Sequence, residues 1–271
     1  MAKKIGLYTV LVFLAVCMFL PFYLMFVMAT RSTQEIFSYP PKYWFGGNVV
    51  QNYRFMISRI NLARGFLNSS VISVCNTLLV LFFCSLGGYA FAVYTFPFKK
   101  QLFALLLLTM MVPWTAGIIP WFIMMSKFGW LNSFKALVIP NAAHAFGVFW
   151  MRQYCRKNVP SSLLDAARID GCSEITIFFR VIAPIILPAY ASLGIMQFVT
   201  VWNDFVQPLL ILRMPAQQTL PVLLKSMIIE RGTDYGAVML ASAITVLPLL
   251  LVFLFASKYF LSGLTAGAVK E

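Results

Sequence analysis

Asp204 is the only carboxylate inside an apolar stretch of this 271-residue chain, in Val201-Trp202-Asn203-Asp204-Phe205. A lone charge at the centre of a membrane helix costs roughly 2.5 to 3.5 kcal/mol on insertion scales, so it must face a protein interior or a water-filled cavity. Counted from Pro184, Asp204 lies about 20 residues and about 30 Å along its stretch, towards the far end where that cost is lower. Two roles fit it: a cavity or gate residue, with Trp202 and Asn203 beside it, or a structural hydrogen bond to a neighbouring helix. His144 is the only histidine and has no second ligand nearby in the sequence, which favours a packed polar residue over a metal or proton site. The five cysteines, Cys17, Cys75, Cys84, Cys155 and Cys172, form no CxxC pair, which argues against zinc and disulfide roles. The pattern GxxxxGK[ST] is absent, so the chain is not equipped to cradle ATP phosphates as a P-loop does.

The densest polar information lies between two apolar stretches, from Arg152-Gln153-Tyr154 through Ser161-Ser162-Leu163-Leu164-Asp165-Ala166-Ala167-Arg168-Ile169-Asp170-Gly171-Cys172. Ser162 with Asp165 has capping-box spacing, Pro160 precedes it, and Gly171 is a ready stop. These signals predict a helix of about eight residues outside the membrane, and a second start at Ser173-Glu174 running through Phe178, Phe179 and Ile182 to Pro184. So short a helix is unstable alone. Its apolar and small residues, Leu163, Leu164, Ala166, Ala167 and Ile169, must dock either on the chain's own bundle or in the groove of a partner.

The elements that position these residues follow from composition. The chain is 61% hydrophobic and 11% charged, against roughly 45 to 50% and about 25% in soluble domains, so a soluble globule is excluded. Six stretches meet the requirement of about 20 mostly apolar residues for a membrane helix, at 5–29, 66–94, 102–126, 134–151, 184–212 and 236–257. The fourth is short and holds Pro140, Asn141 and His144. The run from Ile5 is too long for a signal peptide and is followed by Arg31, so it reads as the first span. With no internal repeat or low-complexity segment, residues 1–271 read as a single all-α membrane domain. Prolines inside the spans (Pro21, Pro113, Pro120, Pro140, Pro188, Pro208, Pro248) suit kinked, cavity-lining helices, although membrane helices are also richer in proline generally.

The net charge of +13 does not mark a nucleic-acid binder. With Lys3 and Lys4 inside, 11 basic and 4 acidic residues fall on one side and 10 and 3 on the other, +7 each, with Asp204 in a span. No concentrated patch emerges; contact with anionic membrane lipids accounts for the excess. The bias in Lys and Arg barely decides orientation. Placing both termini in the cytoplasm rests on Lys3, Lys4 and the loop.

The loop resembles the EAA loop of ABC importer permeases: Asp165-Ala166-Ala167, three residues, Gly171, then Ile182, Pro184 and Pro188. The carbohydrate-uptake branch is matched further by Asn52-Tyr53, Asn68-Ser69, Trp202-Asn203-Asp204 and the tail Gly263-Leu264-Thr265-Ala266-Gly267-Ala268-Val269-Lys270. The resemblance covers nearly the whole chain. Two positions depart from the pattern: Asp165 stands where Glu is usual, one methylene shorter, and Cys172 where Ala is usual.

The resemblance implies a type I ABC importer permease fold, with six transmembrane helices and a short cytoplasmic coupling helix within the loop 152–183. It implies a subunit of an ATP-driven sugar importer in a bacterial or archaeal cytoplasmic membrane. Its partners would be a second homologous permease, two cytoplasmic ABC ATPases and an extracytoplasmic solute-binding protein, with ATP and magnesium on the ATPases and no cofactor on this chain. Ser162, Leu163, Asp165, Ala166, Ala167, Asp170 and Gly171 would couple to the ATPase, with a salt bridge from Asp165 to an ATPase arginine. The tail resembles that of the shorter permease subunit of the maltose system, where Gly263, Thr265, Gly267 and Lys270 would approach the ATPase dimer. Trp202, Asn203 and Asp204 would lie on the translocation pathway. The loop 30–65, with Tyr43, Trp44 and Phe45, faces outward, towards either the binding protein or interfacial lipid.

Two rivals are weaker. A membrane-embedded lipid phosphotransferase needs Asp-Gly before Ala-Arg with later metal-binding aspartates, whereas Ala167-Arg168 here precedes Asp170-Gly171 and the later aspartates are missing. A secondary transporter of the inverted-repeat kind lacks its repeat symmetry and buried charge partners here.

Overall fold

The computed structural model describes residues 2–228 and 232–268, with side chains over 4–228 and 232–254. Its regular elements are all helical: α1 Ala2–Ala29, α2 Thr33–Ile36, α3 Val49–Arg59, α4 Leu62–Val93, α5 Lys99–Thr109, α6 Ile118–Lys127, α7 Lys135–Val138, α8 Ala145–Asn158, α9 Ser161–Ile169, α10 Glu174–Ile177, α11 Ala183–Ile185, α12 Leu187–Trp202, α13 Val206–Ile211, α14 Leu220–Ser226 and α15 Tyr235–Ala268. Among the described residues, Lys4–Ala29, Leu62–Val93 and Tyr235–Leu254 are each long and apolar enough to cross a membrane; two sharply bent helix pairs raise the number to as many as five. The chain forms two compact units, Met1–Phe66 with Gln218–Leu250, and Leu67–Gln217 with Leu251–Glu271.

In the first unit α1 leaves Ile5 through Phe22 exposed, as a lipid-facing or partner-facing helix requires. Its C-terminal end is held by Asn52 of α3, whose buried Nδ2 donates to the Ala29 and Arg31 carbonyls, both at 2.9 Å. Gly236 passes so close to Arg31 O and the Asn52 carboxamide that a Cβ there would collide with both. The guanidinium of Arg31 donates from Nε to Trp44 O at 2.9 Å and from Nη1 to Glu35 at 3.2 Å. Glu35 also closes a capping box with Ser32. The Lys42 ammonium and the Ser32 N–H hold the Glu35 carboxyl below the usual carboxylate range. Met56 of α3 and Ile60 just beyond it pack with Leu223, Met227, Ala237, Val238 and Ala241 as the unit's core.

The second unit is organised around α4, which buries Asn68, Ser69, Ser73, Asn76, Thr77 and Ser85 along its length. Small residues let α4 and α8 approach closely, as in membrane helix pairs generally. A Cβ at Gly88 would stand 2.5 Å from Met151 Cβ and 2.7 Å from Arg152 N, and one at Gly147 2.6 Å from Cys84 Sγ. Around this contact Cys84, Tyr89, Met151, Cys155, Leu164, Ala167, Ile177, Phe178, Ile182 and Leu193 form one core cluster.

Three of the predicted stretches are broken where the sequence puts proline. Residues 102–126 fold as α5 and then Trp114–Lys127, bent by 88° at a break containing Pro113. Residues 134–151 are not one helix: α7 ends at Val138 before Pro140, and α8 begins afresh at Ala145 and runs on to Asn158. The stretch at 184–212 begins earlier, at Glu174, bends by 77° at Ile186 between Pro184 and Pro188, and stops again at Asn203. Pro184 has no N–H to continue the ladder, and the chain answers with a π turn over Phe178–Ile182 just before it.

Gly88→Leu is expected to force α4 and α8 apart. Thermal unfolding in detergent should show a loss of at least about 2 kcal/mol; an unchanged melting temperature would contradict the close packing.

Candidate functional site

The helix α9 begins at Ser161, two residues earlier than the capping-box spacing suggests. Its N-cap is Pro160, without a side-chain cap hydrogen bond. Asp165 turns instead towards Arg168, with Oδ1 3.5 Å from Nη1. The other end is closed as the sequence predicts. Gly171 takes φ +76°, its N–H donates to Arg168 O at 3.0 Å, and the Cys172 N–H donates to Ala167 O at 3.0 Å. This pair of bonds is a Schellman closure, for which glycine is favoured because it enters the left-handed region without strain. Ser173 then caps α10 by accepting from the Thr176 N–H.

Leu164 and Ala167 bury one face of α9 in the core that also holds Ile177 and Phe178. The opposite face stays open: Ser162, Leu163, Asp165, Ala166, Ile169, Asp170 and Gly171 are exposed, Ile169 at 86%. Of the expected coupling residues, therefore, Ala167 faces inward and the other six face outward. A brace that sequence reasoning missed fixes the tilt of this helix. Arg168 Nε donates to Glu174 Oε1 at 2.8 Å, and Tyr94 Oη, just beyond α4, donates to Glu174 Oε2 at 2.5 Å. A carboxylate six residues after an arginine, across a glycine turn, was the available signal.

A second feature is a cavity of about 440 Å³, lined among others by Trp114, Asn141, His144, Gln197, Asp204 and Gln207. Its polar groups are those that repair the helix breaks. Asn141 Nδ2 donates to Leu137 O at 3.1 Å and to Gln207 Oε1 at 2.9 Å. His144 Nδ1 accepts from the Gly147 N–H at 3.1 Å and so caps α8. Asp204 Oδ1 accepts from the N–H groups of Val206 and Gln207 at 3.1 and 3.4 Å, starting α13. Gln197 donates to Asn76 Oδ1 at 2.7 Å, and Asn76 donates to Val138 O at 3.3 Å. Carboxamides, a carboxylate and aromatic rings around one space can exchange hydrogen bonds with hydroxyl groups and stack on an apolar sugar-like face.

Of the three residues placed on a pathway by the sequence, only Asp204 lines the cavity. Trp202 is buried and stacked on Phe198, and Asn203 turns its Nδ2 back to Val199 O. The carboxamides Asn76 and Gln197, each isolated in an apolar run, were the missed signal. The tail residues Gly263, Thr265 and Gly267 lie in the backbone of α15 with side chains outside the described residues, and Lys270 lies outside them altogether. Among the described residues no three His, Cys, Asp or Glu side chains gather as a metal site.

Residues 85–265, which include α8, α9 and the cavity-lining segment after α10, match the family described as binding-protein-dependent transport system inner membrane component. The chain belongs to this family. As a member of the binding-protein-dependent transport family it is a multi-pass inner-membrane protein. It is 39% identical over 220 residues to the arabinooligosaccharides transport system permease protein AraQ of Bacillus subtilis, spanning 81% of this chain and 78% of that one. It is 33% identical over 263 residues to the lactose transport system permease protein LacG of Rhizobium radiobacter, spanning 97% and 95%. Its fold matches a chain in the crystal structure of a bacterial ABC transporter involved in the import of the acidic polysaccharide alginate, with a TM-score of 0.83, 22% identity and 96% of each chain covered.

Arg168→Gln is expected to loosen the brace without unfolding the protein. Hydrogen exchange over residues 161–169 should rise several-fold, while the melting temperature moves by no more than about 4 °C, because exposed ion pairs contribute little. Unchanged exchange would show that the brace does not hold α9.

Proposed function

We propose that this chain is a permease subunit of an ATP-driven sugar importer, forming half of a translocation pathway and receiving work from cytoplasmic ATPases through α9. The observation that carries the reading is a short helix locked at its C-terminal end and on its inner face, with an open outer face of mixed apolar and acidic residues. A stiff element of this kind can transmit a displacement, whereas a frayed loop would absorb it. Its inner face shares one core with α8 and with the segment from Ile177 to Leu193, so a push on α9 reaches helices that line the cavity.

In this reading six crossings span residues 1–271, the fourth made by the broken pair α7 and α8, and both termini are cytoplasmic. A second homologous permease completes the pathway. Two ABC ATPases bind ATP and magnesium and clasp the outer face of α9, with Asp165 and Asp170 offering carboxylates to their basic groups. The tail beyond Gly263 approaches the ATPase pair. An extracytoplasmic binding protein delivers the sugar, as support from a second structural match suggests: an alginate ABC transporter in complex with a pentasaccharide-bound periplasmic protein, with a TM-score of 0.61 and 14% identity. The substrate class, a mono- or oligosaccharide, is supported by relatives named for arabinooligosaccharides, for lactose and, in Bacillus subtilis, for melibiose, raffinose and stachyose. The hydroxyl-matching groups of the cavity fit it. Family membership also favours this reading over a lipid phosphotransferase or a secondary transporter.

Two substitutions test the two halves of the proposal. Gly171→Val meets no atom within 4 Å but must adopt a left-handed backbone, at about 1 to 2 kcal/mol. Membrane insertion should persist while ATP-driven sugar uptake is abolished, and normal uptake would remove α9 from the coupling role. Asp204→Asn keeps an oxygen to cap α13 and removes the charge. Sugar uptake should fall by about tenfold, of the order of one lost hydrogen bond to a charged group, and unchanged uptake would return Asp204 to a purely structural role.

A further inference from the structure

A second cavity of about 480 Å³ opens in the unit that carries α9, where the end of α4, the start of α5 and the last turns of α8 meet. Lys99, Lys100, Arg152 and Arg156 line it with Phe91 and Phe103, and no acidic side chain does. Among the described residues none of these four cations takes part in a salt bridge. The site is built, with two of the cations held in place by neutral groups. Arg152 donates from Nε to Phe91 O at 3.2 Å and lays its guanidinium 3.8 Å from the centroid of the Phe103 ring. Lys99 donates to Tyr94 O at 2.6 Å. The N-terminus of the 11-residue helix α5 joins them without a side-chain cap, adding its positive end to the same place. Four like charges around one space repel one another unless an anion sits among them.

The outer surface beside the cavity says which anion. Phe98, at 71% exposure, and Leu102, Leu105 and Leu108 of α5 are exposed, so an apolar strip leads away from the cations along a helix that enters the membrane. A soluble phosphate would have no use for that strip, whereas acyl chains would cover it. We infer that this cavity is a binding site for an anionic glycerophospholipid, its phosphate among Lys99, Lys100, Arg152 and Arg156 and its chains along α5. Arg152 and Arg156 sit on α8, a few residues before α9, so an occupied site would stiffen the root of that helix.

The test uses the transporter purified with its partner subunits and native mass spectrometry with added phosphatidylglycerol or phosphatidylcholine. One phosphatidylglycerol per copy of this chain should be retained in preference to phosphatidylcholine. K100Q/R156Q, which alters only exposed side chains, should lower that retention by about thirtyfold, at about 1 kcal/mol for each of the two basic residues near a membrane surface. K157Q/R180Q, which removes as much charge outside the cavity, should retain the lipid as the parent does. The inference is overturned by equal retention in K100Q/R156Q with an unaltered melting temperature, by equal loss in K157Q/R180Q, or by displacement with millimolar inorganic phosphate, which would mark a site for a soluble anion.

Discussion

A backbone amide inside a bilayer has no water to bond to, and this chain interrupts its apolar helices repeatedly with proline. Each interruption frees N–H and C=O groups that have to find partners within the protein. The partners are specific side chains. Asn141 takes the Leu137 carbonyl and Asn76 the Val138 carbonyl after α7, His144 takes the Gly147 N–H of α8, and Asp204 takes the first N–H groups of α13. Because breaks on different segments lie near one another, Asn141, His144 and Asp204 converge on one cavity. Polarity that would be costly if scattered is thereby gathered into a place that a hydroxylated molecule can occupy.

The segment that carries α9 is under the opposite constraint. Water can satisfy its backbone, so the Schellman closure at Gly171 and the contacts of Arg168, Glu174 and Tyr94 serve direction more than solvation. With Leu164 and Ala167 in the common core, α9 is fixed in position although it is only nine residues long. Close-packed cores shift as units, which ties the orientation of α9 to that of α8 and of the bent segment from Ile177 onward.

Much of this was legible along the chain. The apolar runs marked helices, Gly171 marked the stop of α9, and Ser173 marked the start of α10, because each depends on residues within a few positions of one another. The start of α9 lies two residues before the one that the capping-box spacing suggests, since Pro160 initiates the helix and Asp165 finds a better partner in Arg168 than in the N-terminal amides. The stretch at 134–151 read as one weak span, and its Pro140, Asn141 and His144 were visible as blemishes. What they did was not visible, because the Asn141 partner is Gln207, 66 positions away. Asn76 and Gln197 carry no local sign of their role for the same reason: their hydrogen bond joins α4 to α12.

The sequence by itself determined that the chain is helical and apolar enough for a membrane, where proline forbids a continuous helix, and that a capped amphipathic helix stands between two such stretches. These follow from local sterics and from transfer energies that depend on residue type. Only the tertiary structure decided that the isolated charge of Asp204 opens onto a cavity, that Trp202 is buried beside it, and that four basic residues from α5 and α8 share a pocket that no acidic side chain lines. Those outcomes depend on which distant segments pack together, and the close approach of α4 and α8 at Gly88 and Gly147 is a property of surfaces in contact.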